Sequence, residues 1–264
     1  MSSTATSTSP DLLDQVAKLA RQAGRAILTI YASDFSVAAK ADRSPVTEAD
    51  GAAEELIVAG LRELPFGDAI VAEESVGDAP SPDPDRRFWL VDPLDGTREF
   101  VGRNGEFTVN IALIERGRPI LGVVLAPALD RLYAGALGLG AYLEQGGRRH
   151  AIACRRPPAE GLTVAGSRSH GDMDALRRFL GERKIARMVS AGSSLKFGML
   201  ANGEADVYPR LGRTMEWDTA AGQAVLAAAG GRVNDLGGAE LTYGKPGYEN
   251  PHFVAWGGGT PGRD

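Results

Sequence analysis

Residues 88–97 read Phe88-Trp89-Leu90-Val91-Asp92-Pro93-Leu94-Asp95-Gly96-Thr97: four bulky apolar residues, two carboxylates three positions apart, then a glycine and a hydroxyl. The apolar run favours a buried strand over 88–91. Pro93, which has no backbone N–H to give a sheet, marks the strand's end. Asp92 and Asp95 are thereby expected at the strand's carboxyl edge. Two oxygen donors at that spacing can converge on a hard cation such as Mg²⁺. Gly96 and Thr97 then offer backbone N–H groups at a turn or helix start, where a phosphate oxygen is favoured. The same residues also admit a ligand-free reading, an Asp-Gly turn with Asp95 or Thr97 capping a helix.

Two other readings of the run fail. An EF-hand loop begun at Asp92 needs a bidentate Glu at its twelfth position, where this chain has Arg103. The Asp-x-Asp-Gly-Thr loop of haloacid-dehalogenase-type phosphatases would place its nucleophile on Pro93.

The flanking chain alternates helical and extended patterns. Helices are expected over 11–32, over 47–64 with Ala49, Ala52, Ala53, Leu56, Ile57, Leu61 and Leu64 on one face, and over 172–182, 193–202 and 217–229. Strands are expected at 69–72, 88–91, 108–115, 119–126, 131–136, 140–144, 162–165, 186–189, 205–208 and near 232 and 253. Close turns such as Glu115-Arg116-Gly117-Arg118 suggest antiparallel neighbours. Sheets in both halves with helices between them predict a layered α+β architecture. The run Arg155-Arg156-Pro157-Pro158 suggests a boundary between the halves, about 11–154 and 155–256. Residues 1–10 and 257–264 are expected to be loose tails.

With 264 residues, 43% hydrophobic and 24% charged, the chain has the composition of an ordinary soluble enzyme. A net charge of −5 argues against a general affinity for a nucleic-acid polymer or an anionic membrane. The single cysteine, Cys154, excludes an internal disulfide and a cysteine-based zinc cluster, and suits a reducing cytoplasm. Neither a secretory signal nor a membrane span is expected.

Three further carboxylates carry weak signals individually. Glu73 follows a buried strand and is a candidate third metal ligand, or simply part of a solvated turn. Asp218 starts an Ala-rich helix, and Asp50 lies in the capping-box-like Thr47-Glu48-Ala49-Asp50.

Taken in order, the stretches Lys40 to Asp50, Glu73-Glu74-Ser75, Trp89 to Thr97 and Met215-Glu216-Trp217-Asp218-Thr219-Ala220-Ala221-Gly222 resemble the motifs of the inositol monophosphatase superfamily. Glu99-Phe100, Asn104 to Ile114 and Gly192-Ser193-Ser194-Leu195-Lys196-Phe197 resemble, more narrowly, its CysQ-like 3′(2′),5′-bisphosphate nucleotidases. The resemblance runs from about residue 9 to 256. It implies an αβαβα sandwich of the sugar-phosphatase type, sensitivity to lithium and a role in sulfur metabolism.

The resemblance further implies that Glu73, Asp92, Asp95, the Leu94 carbonyl and Asp218 hold two or three Mg²⁺ ions. Asp50 and Thr97 position and deprotonate the attacking water, and Gly96 and Thr97 take phosphoryl oxygens. No covalent phosphoenzyme is needed. Substrate contacts fall on Ser193, Lys196, Arg210 and Asp218. Ser193 and Lys196 are expected one helical turn apart on one face, and Arg168 and His170 are weaker candidates for the same pocket.

The implied partner is a phosphorylated small molecule, 3′-phosphoadenosine 5′-phosphate hydrolysed to AMP. An inositol or sugar phosphatase shares the same metal core, and a non-catalytic nucleotide- or metal-binding regulator is a rival of another class. A homodimer is left open. Arg98 and Gly198 depart from the family pattern, and bear on fine substrate preference.

Overall fold

The computed structural model describes residues 8–39, 45–77, 82–83, 85–167 and 173–258. Arg168 and His170, the motif residues 40–44 and most of the two tails lie outside these.

Helix α1 (Pro10–Tyr31) starts where Ser9 accepts a hydrogen bond from Leu12 N at 3.1 Å, with proline at the first helical position. A short antiparallel pair, β1 (Val37–Ala39) and β2 (Pro45–Thr47), leads into α2 (Glu48–Arg62). Neither strand was expected. The buried face of α2 is Ala49, Asp50, Ala53, Glu54, Ile57 and Leu61. Leu56, read as part of that face, is 43% exposed, and two carboxylates are buried in its place.

Seven strands follow: β3 (Ala69–Ala72), β4 (Arg87–Asp95), β5 (Thr108–Glu115), β6 (Arg118–Ala126), β7 (Arg131–Ala136), β8 (Gly140–Gln145) and β9 (Arg148–Ile152). They form one sheet in sequence order, with β3 parallel to β4 and every later pair antiparallel, as the close turns suggest. β9 was not anticipated, because its Arg148-Arg149-His150 reads as solvated chain. A short helix, α3 (Thr97–Val101), caps the end of β4.

A second sheet, in the order β11-β10-β12-β14-β13, is built from β10 (Leu162–Ser167), β11 (Ile185–Ala191), β12 (Val207–Arg210), β13 (Arg232–Asp235) and β14 (Phe253–Trp256). Helices α5 (Leu195–Ala201) and α6 (Glu216–Ala228) are sandwiched between the two sheets. Helix α4 (Met173–Leu180) covers the far face of the second sheet through Leu176, Phe179 and Leu180. α1 and α2 cover the free face of the first. The layers therefore run αβαβα, as expected.

Close approach of α6 to the first sheet depends on two glycines. A Cβ on Gly122 would lie 2.3 Å from the Ala221 carbonyl oxygen, and one on Gly135 would lie 3.0 Å from Val225 Cα. Gly198 has an equally plain packing reason, since its Cβ would strike the Tyr133 ring at 2.6 Å. Phe88 and Leu90, completely buried on β4, each contribute about 1.5–3 kcal/mol by burial and hold the strand rigid behind its carboxyl end.

Candidate active site

β4 does not end at Pro93 but continues to Asp95. Asp92 pairs with Asn110 and Asp95 with Thr108, so three steps on β4 match two on β5. The extra residue is a β-bulge, where a proline's missing N–H leaves no ladder bond unmade. Its consequence is geometric. Without it, residues three apart face opposite sides of a sheet; with it, Asp92 and Asp95 face the same side as Asn110 and Thr108. That side carries α5 and α6.

Glu73 directly follows the end of the neighbouring strand β3, its N–H donating to Val91 O at 3.1 Å. Asp218 arrives in the first turn of α6, its Oδ2 accepting Met215 N at 2.8 Å. Asp92 Oδ1 accepts Leu94 N at 3.0 Å. Ser194 Oγ lies 2.9 Å from Asp95 Oδ2 and 2.6 Å from Asp218 O, tying the ends of β4 and α6 together.

Electrostatics report the same convergence. Burial, then the facing Glu73, Asp95 and Asp218, push the Asp92 carboxyl well above its usual range. Burial and Asp95 push Asp218 up to about 8. Asp95 is also raised by burial, against the pull of Lys196 and the Ser194 hydrogen bond. Among the described residues no three His, Cys, Asp or Glu side chains already form a closed metal cage. The donor set is nonetheless all-oxygen and negatively charged, which fits a hard divalent cation, and such a cation offsets the carboxylate repulsion that adds to burial at Asp92 and Asp218. The residues present fit the group.

Asp50 caps α2 and also reaches Thr97. Its Oδ2 accepts from Thr47 N and from Thr47 Oγ1, each at 2.8 Å, while its Oδ1 faces Thr97 Oγ1 at 3.4 Å. Thr97 Oγ1 is also 3.4 Å from Leu94 O. Gly96, at φ 88°, adopts the left-handed turn that lets β4 pass into α3.

The cations differ from expectation. Ser193 and Lys196 do not share a helix face, because α5 begins at Leu195 and Ser193 sits at φ 40° before it. Lys196 is 2% exposed. Its Nζ donates to Ala191 O at 3.0 Å and Ser193 O at 2.6 Å, and burial pulls it down to about 8 against the opposing pull of Asp95. It is a strut of the 191–194 loop as much as a pocket cation. Arg210, at the end of β12, donates to Arg213 O at 3.1 Å, while its buried Nε has no hydrogen-bond partner among the described residues.

A cavity of about 250 Å³ collects Glu73, Asp95, Gly96, Thr97, Ser193, Lys196, Arg210 and Asp218 in its lining. Asp92 and Asp50, each 1% exposed, do not line it. Tyr208, Glu99 and Arg98, the last already linked to substrate preference, also line it. Not anticipated from the sequence were Ser194, Asn110 and Thr108. Asn110 Nδ2 donates to Ser194 Oγ at 3.0 Å, and Thr108 Oγ1 lies 3.4 Å from Asp95 Oδ2. The signal was a buried amide and hydroxyl in an otherwise apolar strand, Thr108-Val109-Asn110-Ile111.

Known proteins resemble this chain in sequence and fold. The chain is 49% identical over 247 residues to the 3′(2′),5′-bisphosphate nucleotidase CysQ of Escherichia coli O157:H7, covering 92% of this chain and 98% of that one. The crystal structure of CysQ from Bacteroides thetaiotaomicron, a bacterial member of the inositol monophosphatase family, superposes with a TM-score of 0.79 at 35% identity, over 95% of this chain and 98% of that one. A Thermotoga maritima IMPase superposes at 0.75 and 28% identity, over 93% and 92%. The profile of the inositol monophosphatase family matches residues 10–256, and with the layered fold and these relatives it establishes that the chain belongs to that family, whose members are metal-dependent phosphatases.

Proposed function

We propose that this protein is a Mg²⁺-dependent 3′(2′),5′-bisphosphate nucleotidase that removes the 3′-phosphate of 3′-phosphoadenosine 5′-phosphate and leaves AMP. The observation that carries it is one cavity in which the carboxylates of Glu73, Asp95 and Asp218 face Arg210 and Lys196, in a chain 49% identical to a nucleotidase of that name.

Glu73, Asp92, Asp95, Asp218 and the Leu94 carbonyl are the groups that hold the metal, as two or three ions. When bound, Mg²⁺ supplies positive charge for the phosphoryl oxygens and acidifies water. The Thr97 hydroxyl, donating to Asp50, keeps its lone pairs for the attacking water and relays that water's proton to the Asp50 carboxylate. Asp50 is held for this by its Thr47 contacts. The N–H groups of Gly96 and Thr97 receive the phosphoryl oxygens. No side chain has to form a covalent intermediate.

Arg210 supplies the cation for the second phosphate, with Lys196 and Ser193 shaping the loop beside it. The activity is assigned to the cytoplasm, in keeping with a half-buried lone cysteine. No helix among the described residues is long and apolar enough to cross a membrane.

Phosphate release measured in parallel on adenosine 3′,5′-bisphosphate, inositol 1-phosphate and fructose 1,6-bisphosphate, with Mg²⁺ and with chelator, tests the reading. The bisphosphate nucleotide is expected to have the highest kcat/KM. A preference for the inositol or sugar ester transfers the protein to that branch of the family, and binding without turnover makes it a regulator.

A further inference from the structure

Glu54 is a buried carboxylate that takes no part in the proposed chemistry. Helix α2 carries Asp50 in its first turn and, one turn later on the same buried face, Glu54, which is 7% exposed. Glu54 Oε2 accepts the backbone N–H of Glu74 at 2.8 Å, twenty residues away in the chain. Glu74 immediately follows Glu73, whose own N–H donates to Val91 O, the residue before Asp92. The corner Glu73-Glu74 is therefore held from two sides. β4, which carries Asp92, holds one amide; α2, which carries Asp50, holds the other.

Desolvating a carboxylate is costly unless hydrogen bonds repay it, and a solvated turn could be held by water at no such cost. An apolar residue at position 54 would continue the face of Ala53 and Ile57. A buried acid there that grips the corner's backbone has its natural explanation in what the corner presents. We infer that Glu54 is a positioning residue: through the Glu74 amide it fixes the Glu73-Glu74 corner against Asp50 and Asp92, so that Glu73 offers its carboxylate to the cation in register with them. This rests on the proposed ligand role of Glu73. Glu54 itself touches neither metal nor substrate. What it supplies is an acceptor oxygen, and its negative charge is incidental.

The test compares Glu54→Gln, which keeps an acceptor oxygen, with Glu54→Met, which keeps the length and loses it; Glu54→Ala serves the same comparison should the apolar replacement not fold. Glu73→Gln is the reference. Mg²⁺ binding is measured by calorimetric titration of the substrate-free protein, beside Tm in chelator, kcat and KM. Glu54→Met is expected to weaken Mg²⁺ binding roughly tenfold, the low end of the range for groups that orient a metal ligand. At saturating Mg²⁺ the nucleotide KM should stay unchanged, and Glu54→Gln should restore the Mg²⁺ affinity.

A fall in Tm with Mg²⁺ affinity intact in the variants lacking the acceptor makes Glu54 merely structural and overturns the inference. Equal weakening in Glu54→Gln and Glu54→Met also overturns it, because the charge would then matter. Wild-type Mg²⁺ affinity in Glu73→Gln is a separate result, which removes the ligand assignment of Glu73 on which the inference stands.

Discussion

Asp92 and Asp95 are three residues apart in the chain, yet they face the same side of the sheet because one extra residue of β4 is accommodated between their partners Asn110 and Thr108. That single irregularity decides whether the strand end presents two carboxylates to α6 or one to each side. It also places Asp95 within 2.9 Å of Ser194 Oγ, the hydroxyl that reaches the Asp218 carbonyl.

The acids set the pH dependence of stability in the metal-free protein. A carboxyl whose folded pKa lies above its unfolded value binds its proton more tightly in the folded state. For Asp218 the stability tied to that proton is fully present below the ordinary 3.8 and is lost as pH rises through about 8. Asp92 acts in the same direction. Tm in chelator should therefore fall between pH 5 and pH 8.5, and Mg²⁺ should raise Tm more at the upper pH, where protons no longer compete for the carboxylates. An equal Mg²⁺ shift at both pH values contradicts this account.

Asp50 uses one oxygen for the helix cap and the other for Thr97, so its two roles separate by experiment. Asp50→Asn should lower kcat by roughly 10²–10⁴-fold with little change in KM. Steady-state kinetics on adenosine 3′,5′-bisphosphate decides it. Retained kcat with a raised KM reduces Asp50 to a cap or a binding residue.

Arg210 should separate substrates where Lys196 does not. Arg210→Ala removes a charge-assisted contact worth about 1.5–3 kcal/mol, which cuts kcat/KM on the bisphosphate roughly 10–150-fold. 3′-AMP, which lacks the second phosphate, should feel it far less. Lys196→Met should depress both substrates together, because its ammonium holds the Ala191 and Ser193 carbonyls. The reverse pattern, selective loss with Lys196→Met, would return that side chain to the substrate.

Gly122→Ala tests the seat of α6. Its Cβ would meet the Ala221 carbonyl at 2.3 Å, and the forced shift should cost about 1–3 kcal/mol in denaturant unfolding. Displacing α6 also displaces Asp218, so Mg²⁺ affinity should weaken alongside. Unchanged stability would mean that the helix does not seat against β6.

Much of this architecture is legible in the sequence because periodicity marks elements whose faces are apolar. The long helices α1, α2 and α6 and strands β4 to β8 all announce themselves in that way. β9 escapes because charged residues dominate it, and the β1-β2 pair because three-residue strands leave no pattern. Pro93 reads locally as a strand terminator, whereas the ladder simply bulges around it. Lys196 reads as a cation on a helix face, yet its surroundings are set by the carbonyls of a loop whose left-handed Ser193 no periodicity reveals. The Asn110–Ser194 hydrogen bond spans 84 residues and exists only once the two sheets are folded over α5 and α6.

Regiospecific, metal-dependent hydrolysis can be read from the products of adenosine 3′,5′-bisphosphate. Chromatographic separation of the nucleotides with parallel phosphate determination should show 5′-AMP and inorganic phosphate in equal amounts, formed with Mg²⁺ and not after exhaustive chelation. Formation of 3′-AMP, turnover that survives chelation, or no turnover while an inositol phosphate is hydrolysed would mean that the protein is not a Mg²⁺-dependent 3′-nucleotidase.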